Sequence, residues 1–169
     1  MTTANEVLVD GFERVRESVH EAVEGLDEDG LAHRPDPEAN SIAWLVWHLA
    51  RVQDDHVAGV AGGEQLWTVG GWVERFGLPF DVSAIGYGQS SEEVGQVRAS
   101  AELLTAYHDA VHSATVDYLR TLTDDDYERV VDEQWDPPVT LSSRLVSVLN
   151  DATQHVGQAA YVRGLLDRR

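Results

Sequence analysis

Near the end of the chain Asp151 and His155 stand four residues apart. On a helix that spacing puts both side chains on one side, about 6 Å apart, as a chelating pair requires. His155 falls on the apolar stripe Leu141, Leu145, Val148, Ala152, Ala159, Val162, Leu166, and Asp151 lies about 40° from it at about 100° per residue. An acidic group is thereby directed toward a protein interior, where an unpaired carboxylate is costly. One reading is that Asp151 bonds Arg144, Thr153 or a neighbouring helix while His155 is a satisfied core histidine. The other is that a third ligand from another helix completes a metal site.

His48 is the only polar residue in the run Ile42-Ala-Trp-Leu-Val-Trp-His-Leu-Ala50 and is a candidate for that third ligand. His56 is its rival: against Ile42, Leu45, Leu49 and Val60 it points closer to the apolar face. Asp55 lies about 20° from His48 on the helical wheel and is placed to orient it as an outer acceptor. Periodicity leaves the choice open. The pair His108-x-x-x-His112 also has chelating spacing, but it sits about 80° and 120° from the stripe Leu104, Tyr107, Val111, Tyr118, so it is expected to face solvent. His20 and His33 are isolated. The five tryptophans, Trp44, Trp47, Trp67, Trp72 and Trp135, are read as core anchors, with those in the central loop also able to line a ligand pocket.

Cysteine is absent, which removes disulfides, thiolate metal sites and a cysteine nucleophile. Any metal must take histidine and carboxylate ligands. The net charge of -18 repels phosphate backbones and anionic membrane surfaces, so neither nucleic acid nor membrane is expected as a partner. No stretch approaches the roughly 20 apolar residues that span a bilayer, and the N-terminus lacks a signal-like pattern. A cytoplasmic protein is expected. All 12 basic residues are arginine, which is background rather than chemistry.

The elements that must position these residues are helical. Thr3-Ala-Asn-Glu6 has the form of a capping box, followed by Leu8, Phe12, Val15, Val19, Ala22 and Leu26 at helical steps. Asn40 or Ser41 can cap a second helix reaching about Val60. Gly62 to Ser91 has no lasting period and reads as a crossover loop with short turns. Ser90-Ser-Glu-Glu93 resembles a helix start, and the stripe from Leu104 to Leu122 marks the third long helix. Asp124-Asp-Asp126 is a solvated break, Pro137-Pro138 stops an element, and Thr140 or Ser142 begins the fourth helix. At 169 residues the chain suits one domain. The expected fold is all-α: a four-helix bundle with a long crossover between the second and third helices.

The segments Ser41-Ile-Ala-Trp-Leu-Val-Trp-His-Leu-Ala50 and Asp151-Ala-Thr-Gln-His-Val-Gly-Gln158 resemble the DinB-like superfamily. Together with Gly71-Trp-Val-Glu-Arg-Phe-Gly-Leu78, Trp135-Asp-Pro-Pro138 and His155-Val-Gly-Gln-Ala-Ala-Tyr-Val-Arg-Gly164, they are most similar to its actinobacterial branch. That branch is related to mycothiol-dependent transferases and to the metal-binding domain of mycothiol-dependent maleylpyruvate isomerase. The resemblance, and not periodicity, selects His48 over His56. It implies a divalent metal, zinc or nickel, held by His48, Asp151 and His155, with aspartate where some relatives have histidine or glutamate.

The resemblance further implies a metal-dependent thiol S-transferase for detoxification or stress response. Mycothiol is then the thiol cosubstrate, a small molecule the electrophile, and a homodimer the assembly. The alternative is a non-catalytic metal- or small-ligand-binding stress protein. Isomerisation of maleylpyruvate is not expected, because the isomerase's additional C-terminal domain is missing and no arginine cluster for a dicarboxylate is evident.

Overall fold

The computed structural model describes residues 2–168. Four long helices form the bundle: α1 (Ala4–Val23), α3 (Ile42–Ala61), α7 (Ala101–Thr121) and α8 (Leu141–Leu166). Short helical turns lie between them: α2 (Glu28–Leu31), α4 (Leu66–Val69), α5 (Trp72–Phe76) and α6 (Ser91–Gly95). α8 packs on α1 and α3, and α7 packs on the same two helices from the other side. The chain passes from the second long helix to the third through the extended crossover spanning residues 62–100, so the expected bundle with its long crossover is the observed fold.

Each long helix begins with a side chain that satisfies an otherwise unpaired backbone N–H. Thr3 forms the capping box with Glu6, Ser41 accepts from Trp44 N, Ser100 from Leu103 N, and Thr140 from Ser143 N. α3 ends on Gly62, whose φ of 72° is left-handed and suits glycine.

Three elements differ from expectation. Ser90 and Glu93 do make a capping box, but it opens only the short α6; the chain extends again before Ser100 caps α7. A small antiparallel ribbon, β1 (Val130–Asp132) with β2 (Val139–Thr140), joins the 3-10 turn Asp124–Glu128 to α8. Pro137 and Pro138 lie in the turn of that ribbon, where missing N–H donors cost no ladder bonds. Trp135 stands at the same turn 66% exposed and is not a core anchor, whereas Trp44, Trp47, Trp67 and Trp72 are buried.

α3 is the central helix. It is buried without interruption from Ile42 to Asp54, because α7, α8 and the crossover cover it on all sides. That enclosure takes in polar residues. Arg51, fully buried, donates from Nη1 to Gln65 Oε1 at 3.0 Å and from Nε to the Ala84 carbonyl at 3.2 Å. Asp54 accepts from Leu66 N, Trp67 N and the Tyr107 hydroxyl at 2.7–2.9 Å. The network sews the start and the middle of the crossover onto α3 with hydrogen bonds to charged groups, worth about 1.5–3 kcal/mol each.

Candidate metal centre

α3 and α8 run antiparallel, and their facing sides bring His48 together with Asp151 and His155. One ligand-type atom from each of the three lies within 4.8 Å of the others. His155 Nε2 is 3.5 Å from Asp151 Oδ1, and the two imidazoles meet edge to face with centroids 4.7 Å apart. Among the described residues this is the one such group of three or more potential ligands.

The outer contacts fix which ring nitrogen faces inward. His48 Nδ1 is hydrogen-bonded to the Ile85 carbonyl. A carbonyl only accepts, so Nδ1 carries the proton and Nε2 is left as the free lone pair. His155 Nδ1 lies 3.2 Å from Gln158 Oε1, which again leaves Nε2 toward the site. Trp44 stacks on His48 with centroids 4.6 Å apart, and its indole N–H donates to Gln89 Oε1 at 2.7 Å. Tyr87 packs edge-on against His48 at 5.3 Å from the solvent side. The segment from Ala84 to Gln89 is thus a strap across the top of His48.

Gly86 permits that strap: its φ is +102°, and a Cβ there would overlap His48 Nδ1. Burial lowers the affinity of His48 for a proton, and the charge of His155 adds to this, so His48 is a neutral imidazole ready to act as a ligand. His155 moves the other way, raised first by its hydrogen bond to Asp151.

The residues fit a divalent cation. Asp151 Oδ2 is buried and has no hydrogen-bond partner among the described residues, a costly state for a carboxylate oxygen that coordination would relieve. Two imidazole nitrogens and a carboxylate suit zinc, nickel and similar metals. Arg144, a possible partner for Asp151, is instead paired with Asp132 at 3.0 Å. Thr153 donates to the Leu149 carbonyl, so neither of those two residues partners Asp151, whose ion-pair contact is with His155 itself.

The remaining histidines fall elsewhere. His56, two turns beyond His48, is half-buried with Nδ1 3.5 Å from Asp55. Asp55 accepts from Gln65 Nε2 at 2.7 Å, and the acceptor that orients His48 is the Ile85 carbonyl. His108 and His112 do not face solvent. They are buried at the α1–α7 interface, with His112 Nε2 2.9 Å from Glu13 and neither ring nitrogen of His108 partnered among the described residues. Because α7 is covered by two helices, its buried arc is wider than one stripe.

Sequence reasoning missed the residues that frame the site: Ile85, Gly86, Tyr87 and Gln89 in the crossover, and Gln158 one turn after His155. The Gly-Tyr-Gly sequence at 86–88 was the single available hint of an unusual local conformation. A backbone carbonyl leaves no mark in a sequence at all.

Comparison with known proteins agrees with this architecture. A conserved protein from Enterococcus faecalis is similar in structure, with a TM-score of 0.93 and 29% identity over 100% of both chains. A DinB-like protein from Bacillus cereus has a TM-score of 0.62 and 18% identity, with 96% of this chain and 92% of that one covered. YfiT from Bacillus subtilis, described as a probable metal-dependent hydrolase with an unusual four-helix bundle topology, has a TM-score of 0.62 and 19% identity, covering 99% and 91%. The search of curated proteins gave no match. The mycothiol S-transferase family model matches residues 7–168, and with the match spanning nearly every residue the chain belongs to the mycothiol S-transferase family.

Proposed function

We propose that the chain is a metal-dependent S-transferase that joins a low-molecular-weight thiol of the mycothiol type to a small electrophile. The observation that carries this reading is the His48, Asp151, His155 triad with its orphaned Asp151 oxygen, in a chain of this family. A divalent cation bound there supplies charge that stabilises a thiolate at neutral pH. Three protein ligands leave coordination positions for small molecules, as in catalytic rather than structural zinc sites.

The chain's own groups prepare the site. Ile85 holds the proton on His48 Nδ1 and Gln158 steadies His155 Nδ1, so both Nε2 atoms face the site, and a bound cation would replace the proton through which His155 Nε2 meets Asp151. Asp151 contributes one negative charge, leaving a bound dication with residual positive charge toward an incoming thiol. Trp44 covers His48 on one face and Tyr87 on its outer edge, which limits water around the reacting atoms.

A second reading is metal-dependent hydrolysis, favoured by the bundle shared with YfiT. Thiol dependence separates the two. The purified protein, loaded with zinc or nickel, is to be assayed against monobromobimane and chlorodinitrobenzene with and without mycothiol. Conjugation above the uncatalysed rate, lost in His155→Ala, supports transfer. Turnover of ester or amide substrates without any thiol, and none with one, favours hydrolysis.

A further inference from the structure

Two helical turns from the triad, a cavity of about 560 Å³ opens between α3, α8 and the ribbon. α3 contributes Asp55 and His56, α8 contributes Arg144, and the ribbon side contributes Arg129. Asp55 follows His48 by seven residues and Arg144 precedes Asp151 by seven, and at 1.5 Å rise per residue both helices place the cavity about 10 Å from the triad. Tyr87, which stands beside His48, lies near enough to both for the charges of Asp151 in the triad and of Arg144 and Asp55 in the cavity to act on it.

The cavity's side-chain acceptors are already used, whereas its donors are used only in part. Asp55 takes Gln65 Nε2 and flanks His56, and Gln65 Oε1 takes Arg51. Arg144 is engaged through Nη2 alone, with Asp132, and Arg129 through Nη2 alone, with the Val60 carbonyl and the Tyr118 hydroxyl. Nε and Nη1 of both guanidiniums therefore remain available among the described residues, and with His56 Nδ1 beside Asp55 the imidazole's Nε2 remains too. A lining with surplus donors selects an acceptor-rich ligand. Arginine presents N–H groups in the planar fork that a carboxylate matches, and 560 Å³ is in the ordinary range for a small-molecule site.

We propose that this cavity is a subsite for the carboxylate of the electrophilic substrate, held by Arg144 and Arg129 while the rest of the molecule extends toward His48, Asp151 and His155. The proposal rests on the transfer reading only for the word electrophilic; the carboxylate preference stands on the cavity itself. Arg129 and Arg144 are fifteen residues apart in sequence and on different elements, which is why no arginine cluster is visible before folding. Asp55 and Asp132 offset the two guanidiniums in charge, so the preference rests on their unused N–H donors rather than on a local positive excess.

The test uses the metal-free full-length protein and a homologous series of straight-chain carboxylates, butyrate to octanoate, each paired with its primary amide. Binding is followed by NMR of the arginine Nε–H signals. The expected result is that acids bind more tightly than amides by about tenfold, and that Arg144→Gln and Arg129→Gln each remove most of that preference. Asp132→Asn, which releases Arg144 from its partner, is expected to tighten acid binding. Folding of each variant is checked by circular dichroism, and Arg129, exposed on the ribbon side, provides the variant least able to disturb the bundle. Equal binding of acid and amide throughout the series, or a preference that survives both arginine substitutions, would overturn the proposal. No turnover is read, so a protein that binds acids but conjugates no thiol keeps this subsite and loses the transfer reading.

Discussion

His48 shows how much a site depends on groups that have no side-chain chemistry of their own. Its reactive nitrogen is chosen by the Ile85 carbonyl, and the carbonyl can approach because residue 86 is glycine at φ +102°. Gly86→Ala meets both a strained conformation, about 1–3 kcal/mol, and overlap with His48. Zinc affinity measured by chelator competition is expected to fall about 10- to 100-fold, the usual penalty for disturbing an outer-sphere partner, with the melting temperature lowered as well. Unchanged zinc affinity in a folded Gly86→Ala protein would mean that the strap does not position the ligand.

A second residue-scale consequence concerns acid. Burial, reinforced by the charge of His112, pushes His108 down to about 3. The unfolded chain titrates near the ordinary histidine value of about 6.5. Between these values the unfolded state binds the extra proton, so stability is lost as pH falls through that window, at up to about 1.4 kcal/mol per pH unit from this group. Urea denaturation between pH 4 and 8 is expected to show the slope, and His108→Leu to flatten it. An identical slope in the variant would assign the acid sensitivity to other groups.

At the scale of elements, the crossover is held by α3 through buried charge. Arg51 reaches Ala84 at one end of the strap and Gln65 near the start of the crossover, and Asp54 grips Leu66 and Trp67. Arg51 Nη1 lies 3.7 Å from Asp54 Oδ2, so Arg51→Met would leave that carboxylate buried without its cation, a loss of about 3–5 kcal/mol. Limited proteolysis should then cut first within residues 81–90, and metal affinity should fall along with stability. Cleavage appearing instead at the ribbon would show that the strap is anchored by other contacts.

The elements also show what was legible in advance. α1 and α8 each bury one face, so their stripes and caps could be read directly, and Asp151 with His155 on α8 was visible as a chelating pair. α3 was less tractable. Wheel geometry assumes one buried side, yet α3 is enclosed all round through Asp54, so the periodic preference for His56 over His48 had no physical basis. The family resemblance selected His48, and the structure places His48 beside the α8 pair. The same assumption misplaced His108 and His112, because α7 packs against α1 as well as α3. Trp135 failed for a different reason: a large aromatic is usually buried, but one at a ribbon turn has no layer above it.

For the whole molecule, charge is the dominant long-range property. A net charge of -18 makes the folded chain repel itself, and salt screens that repulsion. Raising sodium chloride from low to molar concentration is expected to raise the melting temperature, whereas a fall would show that local ion pairs such as Arg16 with Asp109 outweigh the global term. No helix among the described residues is long and apolar enough to cross a membrane. The same negative field favours cation capture at the triad.

The most direct test of the account is the metal content of purified protein carrying no histidine tag, determined by elemental analysis for the wild type, His48→Ala, Asp151→Ala and His155→Ala after exposure to zinc or nickel. The account predicts close to one ion per wild-type chain and loss of that ion in each folded variant. A wild type that takes up no metal, or variants that keep it, would contradict the assignment of His48, Asp151 and His155 as the metal centre.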